Sequence, residues 1–243
     1  MSDSIVIIPT YNEIENVEAM IYKVFSLDKD FHVLIIDDGS PDGTADVVKR
    51  LQQEFSGKLH IEERKGKLGL GTAYIHGFKW ALKKNYSYIF EMDCDFSHNP
   101  EDLQKLYNAC AVDGADLAIG SRYIKGVNVV NWPMGRVLMS YYASAYVRFI
   151  TGMKIRDTTS GFKCYTRKVI ETINIDAIKF KGYAFQIEMK FTAWKFGFKL
   201  KEEPIIFTDR QDGVSKMNGG IFKEAVFGVV QMKIESWFKK YIR

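Results

Sequence analysis

The chain has 243 residues, and its 34 lysine and arginine side chains nearly balance 30 aspartate and glutamate side chains, which leaves a net charge of +4. That charge is too small to predict nucleic-acid binding, and the three scattered cysteines, Cys94, Cys110 and Cys164, favour neither a disulfide framework nor a zinc site. No uncharged run approaches the roughly 20 residues of a membrane-spanning helix, and an apolar strand is predicted from Ser4 onward, so we expect no transmembrane segment and no signal peptide.

Apolar, β-branched runs alternate with helical patterns along the first half of the chain. The predicted strands span residues 4–9, 31–37, 58–63, 86–92 and 115–120, and the predicted helices span residues 13–26, 43–55, 71–84 and 100–112. The start of the last helix is clear, because Asn99 can cap it, Pro100 suits its first position and acidic residues follow. This alternation predicts an α/β fold with a mostly parallel central sheet and helices on both faces. After about residue 121 the pattern changes to amphipathic helices and loops.

Two carboxylates, Asp93 and Asp95, follow the aromatic strand at residues 86–92. Side chains two residues apart in extended backbone point the same way, while Cys94 between them points away. Adjacent carboxylates repel each other unless a cation lies between them, and two carboxylates that share a cation with substrate phosphates suit Mg²⁺ or Mn²⁺. For such a triplet in isolation, the alternative is a turn with two solvated acids and a helix cap.

Polar turns also end two earlier strands. Pro9–Glu13 closes the first strand, and Asp37–Thr44 closes the second. In open α/β sheets, ligands bind outside the carboxyl ends of the strands. We therefore expect these strand ends to form one nucleotide site, in which Asp38 contacts a base or ribose while Asp93 and Asp95 hold the metal of a diphosphate.

These turns belong to a series of motifs that resembles the family 2 glycosyltransferases. The resemblance covers nearly the whole chain in one order, and within the family it is narrowest to the dolichol- or polyprenol-phosphate mannose synthases. Cys94 is a departure, because the family usually has a small alanine there; we expect it to be tolerated, since its side chain faces away from the metal. The segments that carry the resemblance are Pro9–Glu13, Asp37–Thr44, Gly69–Tyr74, Asp93–Pro100, Gly120–Tyr123, Gly135–Arg136 with Ser140, Asp157–Phe162, Gly182–Glu188 and Arg210–Lys216.

The resemblance implies a GT-A fold and the transfer of mannose from GDP-mannose to a polyprenol (dolichol-type) phosphate, by a single inverting displacement that depends on Mg²⁺ or Mn²⁺. It implies a catalytic domain over residues 1–218, with a nucleotide-sugar half at 1–120 and an acceptor half at 121–218, and then an amphipathic helix at 219–243. It also places Arg64 and Lys67 near the donor site. The implied nucleotide-sugar residues are Pro9, Tyr11, Glu13, Ile36, Asp38, Asp93, Cys94, Asp95, Ser97, Arg210 and Lys216. The implied acceptor-phosphate residues are Arg122, Arg136 and Ser140, the metal ligands are Asp93 and Asp95, and the catalytic residues are Asp95, Arg122 and Arg210.

The chemistry of three arginines also favours a phosphate ligand. Arg122, Arg136 and Arg210 each lie near a glycine or a strand boundary in a segment with few acids, and guanidinium groups bind phosphate bidentately. Taken singly, each would be a solvated or ion-paired surface residue. A phosphate nucleophile is already an anion and needs no strong general base, which agrees with a pattern that offers no obvious catalytic histidine. The loop 208–220 has the glycine, aspartate and serine content of a mobile lid.

Two other functions remain open at this point. The same fold would also serve transfer from UDP-glucose or UDP-GlcNAc to the same kind of lipid, because the side chains near Pro9, Ile36 and Asp38 do not decide the base. The alternative from another class is a non-catalytic, nucleotide-sugar-binding subunit of a membrane complex. Retention of both Asp93 and Asp95 argues against such a subunit, which has no need for adjacent like charges.

Two apolar stretches with aromatic and basic side chains bear on location. Val137–Val147 contains three tyrosines between Arg136 and Arg148, and residues 219–243 form a second amphipathic stretch. One interpretation is that both stretches pack on the domain core. The other is that they contact a membrane surface. The protein would then be cytoplasmic and peripheral on the cytosolic face of a membrane, where a small membrane-anchoring partner protein would help to hold it. In the second stretch the apolar side chains predicted to face one way are Phe222, Val226, Val229, Val230, Ile234, Trp237 and Tyr241, and the basic ones are Lys223, Lys233, Lys239, Lys240 and Arg243.

Overall fold

The computed structural model describes residues 2–209 and 219–242. The strands are β1 (Ser4–Thr10), β2 (His32–Asp37), β3 (Leu59–Glu63), β4 (Tyr88–Glu91), β5 (Leu117–Ser121), β6 (Val129–Val130), β7 (Lys163–Thr166), β8 (Leu200–Pro204) and β9 (Phe207–Thr208). The helices are α1 (Val17–Phe25), α2 (Thr44–Glu54), α3 (Leu70–Lys83), α4 (Leu103–Ala111), α5 (Met134–Thr151), α6 (Arg167–Thr172), α7 (Tyr183–Lys195) and α8 (Gly219–Glu235). The element order predicted for the first half is confirmed, except that α1 begins at Val17 after a turn rather than at residue 13.

The larger sheet of the described residues has the strand order β3-β2-β1-β4-β7-β5-β8. Strands β3, β2, β1 and β4 are parallel to one another. On β1, Ile5 and Ile7 point into a core cluster formed with α3 and α7, while Val6 and Ile8 point into a second cluster formed with α1, α2 and α4. A parallel sheet must be covered on both faces, and these two clusters provide that cover. The predicted α/β architecture is therefore confirmed.

The second half of the chain contributes to the same sheet. Strand β7 lies between β4 and β5 and runs antiparallel to both, and β8 extends the sheet beyond β5 in a parallel direction. The prediction of only helices and loops after about residue 121 is therefore wrong. These strands are difficult to predict from the sequence, because β7 is only four residues long and β8 is a half-buried edge strand rich in charged residues.

Helices α5 and α8 pack against each other outside the sheet. The Tyr146 hydroxyl of α5 donates a hydrogen bond to the Val226 carbonyl of α8 at 2.9 Å. On α8, Val229 and Met232 are buried, whereas Val230 and Ile234 are exposed. The predicted single apolar face is therefore wrong, since one set of apolar side chains faces the core and another faces outward. Among the described residues, no helix is both long enough and apolar enough to span a membrane.

Candidate active site

The carboxyl ends of β1, β2 and β4 meet at one edge of the sheet, because these strands are parallel neighbours. Pro9 on β1 lies opposite Ile36 on β2. The Asp38 backbone N–H donates a hydrogen bond to the Thr10 carbonyl at 3.0 Å, and Asp93 follows shortly after the end of β4. The structure thus brings together residues from three strand ends that the sequence assigned to the nucleotide sugar.

The turn after β4 leaves Asp93 and Asp95 half-buried and turns Cys94 inward. Cys94 is 3 % exposed and packs in the cluster with α1 and α4, as predicted, so its backbone rather than its thiol faces the predicted nucleotide site. Asp95 Oδ1 accepts hydrogen bonds from Ser97 N at 3.2 Å and from Ser97 Oγ at 2.6 Å. Ser97 therefore fixes the Asp95 side chain from within the same turn.

Tyr74 of α3 lies beneath this turn. Its hydroxyl oxygen is 3.4 Å from the Met92 carbonyl and 3.5 Å from Asp93 Oδ1. Burial raises the pKa of Tyr74 well above 10.0, and the neighbouring carboxylates, including Asp93 and Asp95, add to that rise. The phenol therefore stays protonated and keeps a hydrogen-bond donor directed at the turn.

Asp38 is held by a buried arginine. Its Oδ1 atom lies 2.6 Å from Arg64 Nε and 2.5 Å from Arg64 Nη2, and both side chains are largely buried. Arg64 Nη1 donates a further hydrogen bond to Thr72 Oγ1 at 2.8 Å. The sequence placed Arg64 only near the donor site, whereas the structure makes it the residue that orients the Asp38 carboxylate.

Tyr11 and Glu13 lie on the loop that follows β1. Lys67 Nζ is 5.2 Å from the centre of the Tyr11 ring. The Glu13 N–H donates to Thr44 Oγ1 at 3.1 Å, and Glu13 Oε2 accepts from Asn16 Nδ2 at 3.1 Å. The bond to Thr44 ties the loop to the start of α2, and the bond from Asn16 lies within the loop itself. The nucleotide contacts assigned to Tyr11 and Glu13 stay predictions.

Arg122, at the end of β5, is bound by a buried carboxylate. Its Nε and Nη2 atoms donate to Asp157 Oδ2 and Oδ1, both at 2.7 Å, and its backbone N–H donates to Asp157 Oδ2 at 3.0 Å. Nη2 also donates to Thr159 Oγ1 at 2.8 Å. Burial alone would raise the pKa of Asp157, but the Arg122 charge and hydrogen bonds outweigh burial and hold this pKa below 3.8. The sequence assigned Asp157 no role, and the phosphate contact of Arg122 stays a prediction.

Arg136 lies in the first turn of α5, close to Arg122. Its guanidinium carbon is 4.2 Å from the centre of the Trp132 ring, and the guanidinium carbon of Arg122 is 5.5 Å from the centre of the same ring. Arg136 Nη1 donates to Asp209 Oδ1 at 2.8 Å, and this pair is only partly buried. Two of the three arginines predicted to bind phosphate are therefore gathered around one indole.

Three predicted site residues remain, and the structure describes only Ser140 among them. Ser140 lies one turn beyond Arg136 on α5, where its hydroxyl faces the Tyr123 hydroxyl. Arg210, Lys216 and most of the predicted lid at 208–220 lie outside the described residues.

A network of buried charges supports the site from the core. Lys163 Nζ lies 3.1 Å from Glu91 Oε2 and also contacts Gln186, and Lys190 Nζ donates to the Ser160 carbonyl at 2.6 Å. Burial lowers the pKa of both lysines, although Glu91 partly opposes this for Lys163. The network links β4, β7 and α7 to the segment that carries Asp157. Sequence reasoning missed it, although Gln186 lies in one of the motifs that carry the resemblance.

Asp93 and Asp95 are the residues that fit a metal ion. Across residues 2–209 and 219–242, no group of three or more histidine, cysteine, aspartate or glutamate side chains could hold a metal. Two half-buried carboxylates on one turn leave most of a coordination shell to water and phosphate oxygens. Mg²⁺ and Mn²⁺ prefer such hard oxygen ligands, so the residues present fit an ion shared with a diphosphate.

The model of the family described as glycosyl transferase family 2 matches residues 5–173, a span that contains β1–β5, both carboxylates of the turn and Arg122. The chain belongs to this family. It is therefore a glycosyltransferase, and not the non-catalytic subunit that the sequence left open as an alternative.

Close relatives of this family 2 glycosyltransferase span most of its length. It is 46 % identical over 231 residues to the polyprenol monophosphomannose synthase of Mycolicibacterium smegmatis, which covers 95 % of this chain and 87 % of the relative. It is 43 % identical over 225 residues to the undecaprenyl-phosphate mannosyltransferase of Micrococcus luteus, which covers 93 % of this chain and 91 % of the relative.

A crystal structure confirms the GT-A fold of this glycosyltransferase. Glucosyl-3-phosphoglycerate synthase from Mycobacterium tuberculosis, in complex with Mn²⁺, UDP and glucosyl-3-phosphoglycerate, is similar with a TM-score of 0.66 over 96 % of this chain and 79 % of that chain. The two sequences are 16 % identical, so this likeness concerns the fold alone.

Proposed function

We propose that this glycosyltransferase transfers mannose from GDP-mannose to a polyprenol phosphate, in a metal-dependent displacement that inverts the anomeric carbon. The observation that carries the proposal is the similarity over most of the chain to two proteins named as mannosyltransferases of polyprenol-type lipid phosphates. The geometry supports it, because the acidic turn and the arginine cluster supply the charges that a nucleotide diphosphate and a lipid phosphate require.

On the donor side, the chain orients the sugar nucleotide at two points. The Asp38 carboxylate, held by Arg64, would bind the base or ribose, and Asp93 and Asp95 would hold Mg²⁺ or Mn²⁺ at the diphosphate. When bound there, such an ion neutralises the charge that develops on the leaving diphosphate. Ser97 keeps the Asp95 carboxylate in place for this task.

On the acceptor side, the chain must position a phosphate rather than activate it. The lipid phosphate is already anionic, so its oxygen can attack without a strong general base. His98, the histidine of the acidic turn, is 2 % exposed, and its Nδ1 accepts a hydrogen bond from the Asp93 backbone N–H at 3.2 Å. It is therefore poorly suited to serve as a base. Arg122, Arg136 and Ser140 would hold the phosphate in line with the anomeric carbon, where orientation accounts for much of the rate.

A donor panel tests the proposal directly. The purified full chain is incubated with a short polyprenyl phosphate and GDP-mannose, UDP-glucose or UDP-GlcNAc, in Mn²⁺, in Mg²⁺ or in EDTA, and lipid products are identified by mass spectrometry. We expect a mannosyl phosphate lipid from GDP-mannose only, and only with a divalent ion. Products from a UDP-sugar alone would establish the alternative donor, since the fold does not decide the base.

The Arg136→Ala variant should lose mannosyl-transfer activity but keep its affinity for GDP. Removal of one charge-assisted contact to the acceptor phosphate should cost about 1.5–3 kcal/mol, or roughly 10- to 150-fold in turnover. Initial rates and GDP calorimetry measure the two effects separately. Arg50→Ala is the matched control, because Arg50 is an exposed arginine paired with Glu18. Equal damage to GDP binding would place Arg136 in the donor site instead.

We also infer that the protein is peripheral on the cytosolic face of a membrane, where a lipid phosphate is accessible. Large apolar side chains are exposed on α5, on α8 and just beyond α8, and Lys239 and Lys240 directly follow Phe238. Exposed apolar patches of this kind mark interaction surfaces, and neighbouring lysines favour anionic lipid. A small anchoring partner stays a prediction. The exposed side chains are Met134, Leu138, Met139, Tyr141, Tyr142, Phe149, Phe227, Val230, Ile234, Trp237, Phe238 and Ile242.

A double variant, Trp237→Ser with Phe238→Ser, should weaken membrane association and leave GDP binding unchanged. These residues are 68 % and 84 % exposed, so their replacement should not disturb the core. We prefer it to a deletion of residues 234–243, which would also remove Tyr241 from the edge of Phe196, where the ring centres are 5.2 Å apart.

Sedimentation with anionic liposomes measures the effect. Wild-type protein should bind at low ionic strength and be released by salt, because each nearby basic residue contributes roughly 1 kcal/mol that salt screens. Val112→Ser is the matched control, since Val112 is also exposed but lies at the end of α4. If the double variant binds as the wild type does, docking belongs to α5 or to a partner.

A further inference from the structure

The acidic turn that carries Asp93 and Asp95 adopts a backbone shape that its own residues do not favour. Phe96, within the turn, has a φ of +57°, a left-handed conformation that is unfavourable for an aromatic residue. Such a conformation persists when the surrounding structure holds it. The hydrogen bonds between Ser97 and Asp95 lie within the turn itself. Contacts from outside the turn must therefore also help to hold the conformation of Phe96.

His98 provides such a contact. Its Nδ1 atom accepts the backbone N–H of Asp93 at 3.2 Å, so the ring closes the turn across the two carboxylates. The Asp93 Oδ2 atom lies 3.8 Å from the same nitrogen. The ring nitrogen therefore faces both the backbone N–H and the carboxylate of Asp93.

The His98 ring is itself fixed by the surrounding fold. It stacks on Phe162 with ring centres 4.9 Å apart and planes 14° apart, and it meets the edge of Phe207 at 5.3 Å and 79°. Residues 98 and 207 also form an antiparallel backbone bridge, and the Thr208 N–H donates to the Ser97 carbonyl at 3.3 Å. Parts of the chain more than sixty residues away in sequence thus clamp this imidazole.

The hydrogen bond from Asp93 requires a neutral imidazole. A protonated ring donates from both nitrogens and cannot accept an N–H. A ring nitrogen that accepts a backbone N–H is not at the same time a base or a metal ligand, so the role open to Nδ1 is structural support of the turn.

We propose that His98 is a positioning residue for the metal site: its ring, clamped by Phe162 and Phe207, holds the Asp93 backbone so that Asp93 and Asp95 converge on one cation. The inference rests on the proposed role of these two carboxylates as metal ligands. Groups that orient metal ligands from outside the coordination shell typically change metal affinity or activity by about 10- to 100-fold. The effect of removing the His98 acceptor is expected in that range.

Two substitutions separate hydrogen bonding from packing. His98→Phe keeps an aromatic ring between Phe162 and Phe207 but removes the acceptor, whereas His98→Asn removes the ring but offers an amide oxygen near the position of Nδ1. His76→Phe is the matched control, because His76 is an exposed histidine on α3 that pairs with Glu62. The affinity of the full chain for GDP is measured by calorimetry with and without Mn²⁺, together with the melting temperature, kcat and KM.

We expect the Mn²⁺-dependent gain in GDP affinity, and kcat, to fall about 10- to 100-fold in His98→Phe, while GDP binding without metal stays unchanged and His98→Asn recovers most of the loss. Wild-type values of the metal-dependent gain in His98→Phe would overturn the proposal. If His98→Phe does not fold, His98→Asn decides alone: near-wild-type metal dependence supports the proposal, and a loss of tenfold or more overturns it. A wild-type protein whose GDP affinity ignores Mn²⁺ would instead refute the metal role of Asp93 and Asp95, and the proposal with it.

Discussion

The Asp95→Asn variant is expected to lose turnover by on the order of 10³-fold, because it neutralises one of the two carboxylates proposed to hold the metal at the leaving diphosphate. Asparagine keeps an oxygen that can accept the bonds from Ser97 N and Ser97 Oγ, which are 3.2 Å and 2.6 Å long. The turn should therefore keep its shape while the Mn²⁺-dependent part of GDP binding disappears. Initial rates, GDP calorimetry with and without Mn²⁺, and circular dichroism check these three outcomes.

A surface carboxylate provides the control for this substitution. Asp176 is exposed and pairs with Lys79 far from the acidic turn in sequence, so Asp176→Asn should leave turnover and metal dependence unchanged. Near-normal turnover of Asp95→Asn would mean that Asp93 and Asp95 are only a capped turn, the alternative that an isolated acidic triplet allows.

The Asp157→Asn variant is expected to lower the free energy of unfolding by about 3–5 kcal/mol, because it removes the charged carboxylate that binds two nitrogens of the buried Arg122 guanidinium. Arg122 is 7 % exposed and Asp157 is fully buried, so water cannot replace the lost partner. Urea denaturation measures the loss. When Arg122→Met is added, a large part of the stability should return, since the double variant buries neither member of the broken ion pair.

The ion pair between Arg122 and Asp157 should also make the free energy of unfolding fall at acid pH. The pKa of Asp157 in the folded state lies below 3.8, and the pKa of an aspartate in the unfolded chain is about 3.9. A depressed pKa contributes stability that is present above the unfolded value and is lost as the pH falls through the folded value. Wild-type stability should therefore decline more steeply below about pH 4 than that of Asp157→Asn. Parallel pH curves for the two proteins would show that the ion pair does not contribute to stability.

Transfer rates of the two single variants distinguish structural from catalytic roles of Arg122. If Arg122 only supports the fold, Asp157→Asn and Arg122→Met should lose activity in proportion to the folded protein that remains. If Arg122 also contacts the acceptor phosphate, Arg122→Met should lose activity beyond that proportion, as Arg136→Ala should.

Local patterns were enough to predict the order of elements in the first half and the positions of the acidic residues. Strand and helix periodicity reports which side of an element is buried, so β1–β5 and α1–α4 could be predicted before any partner was known. The inward orientation of Cys94 follows from the alternation of extended backbone. The polar strand ends converge because parallel neighbours end at the same edge.

Only the tertiary structure decided which groups touch. Nothing in the sequence pairs Arg122 with Asp157 or Asp38 with Arg64, because a buried ion pair depends on two segments that meet only in the fold. Strand β7 could not be predicted, because four residues carry too little periodicity and its stability comes from the two strands beside it. In the sequence, His98 is only one more residue of a turn. Its contact with Asp93 could not be predicted, because it depends on the packing of His98 against Phe162 and Phe207, which are distant in sequence. Periodicity records whether a residue is buried, and the chemistry of this site depends on what it is buried against.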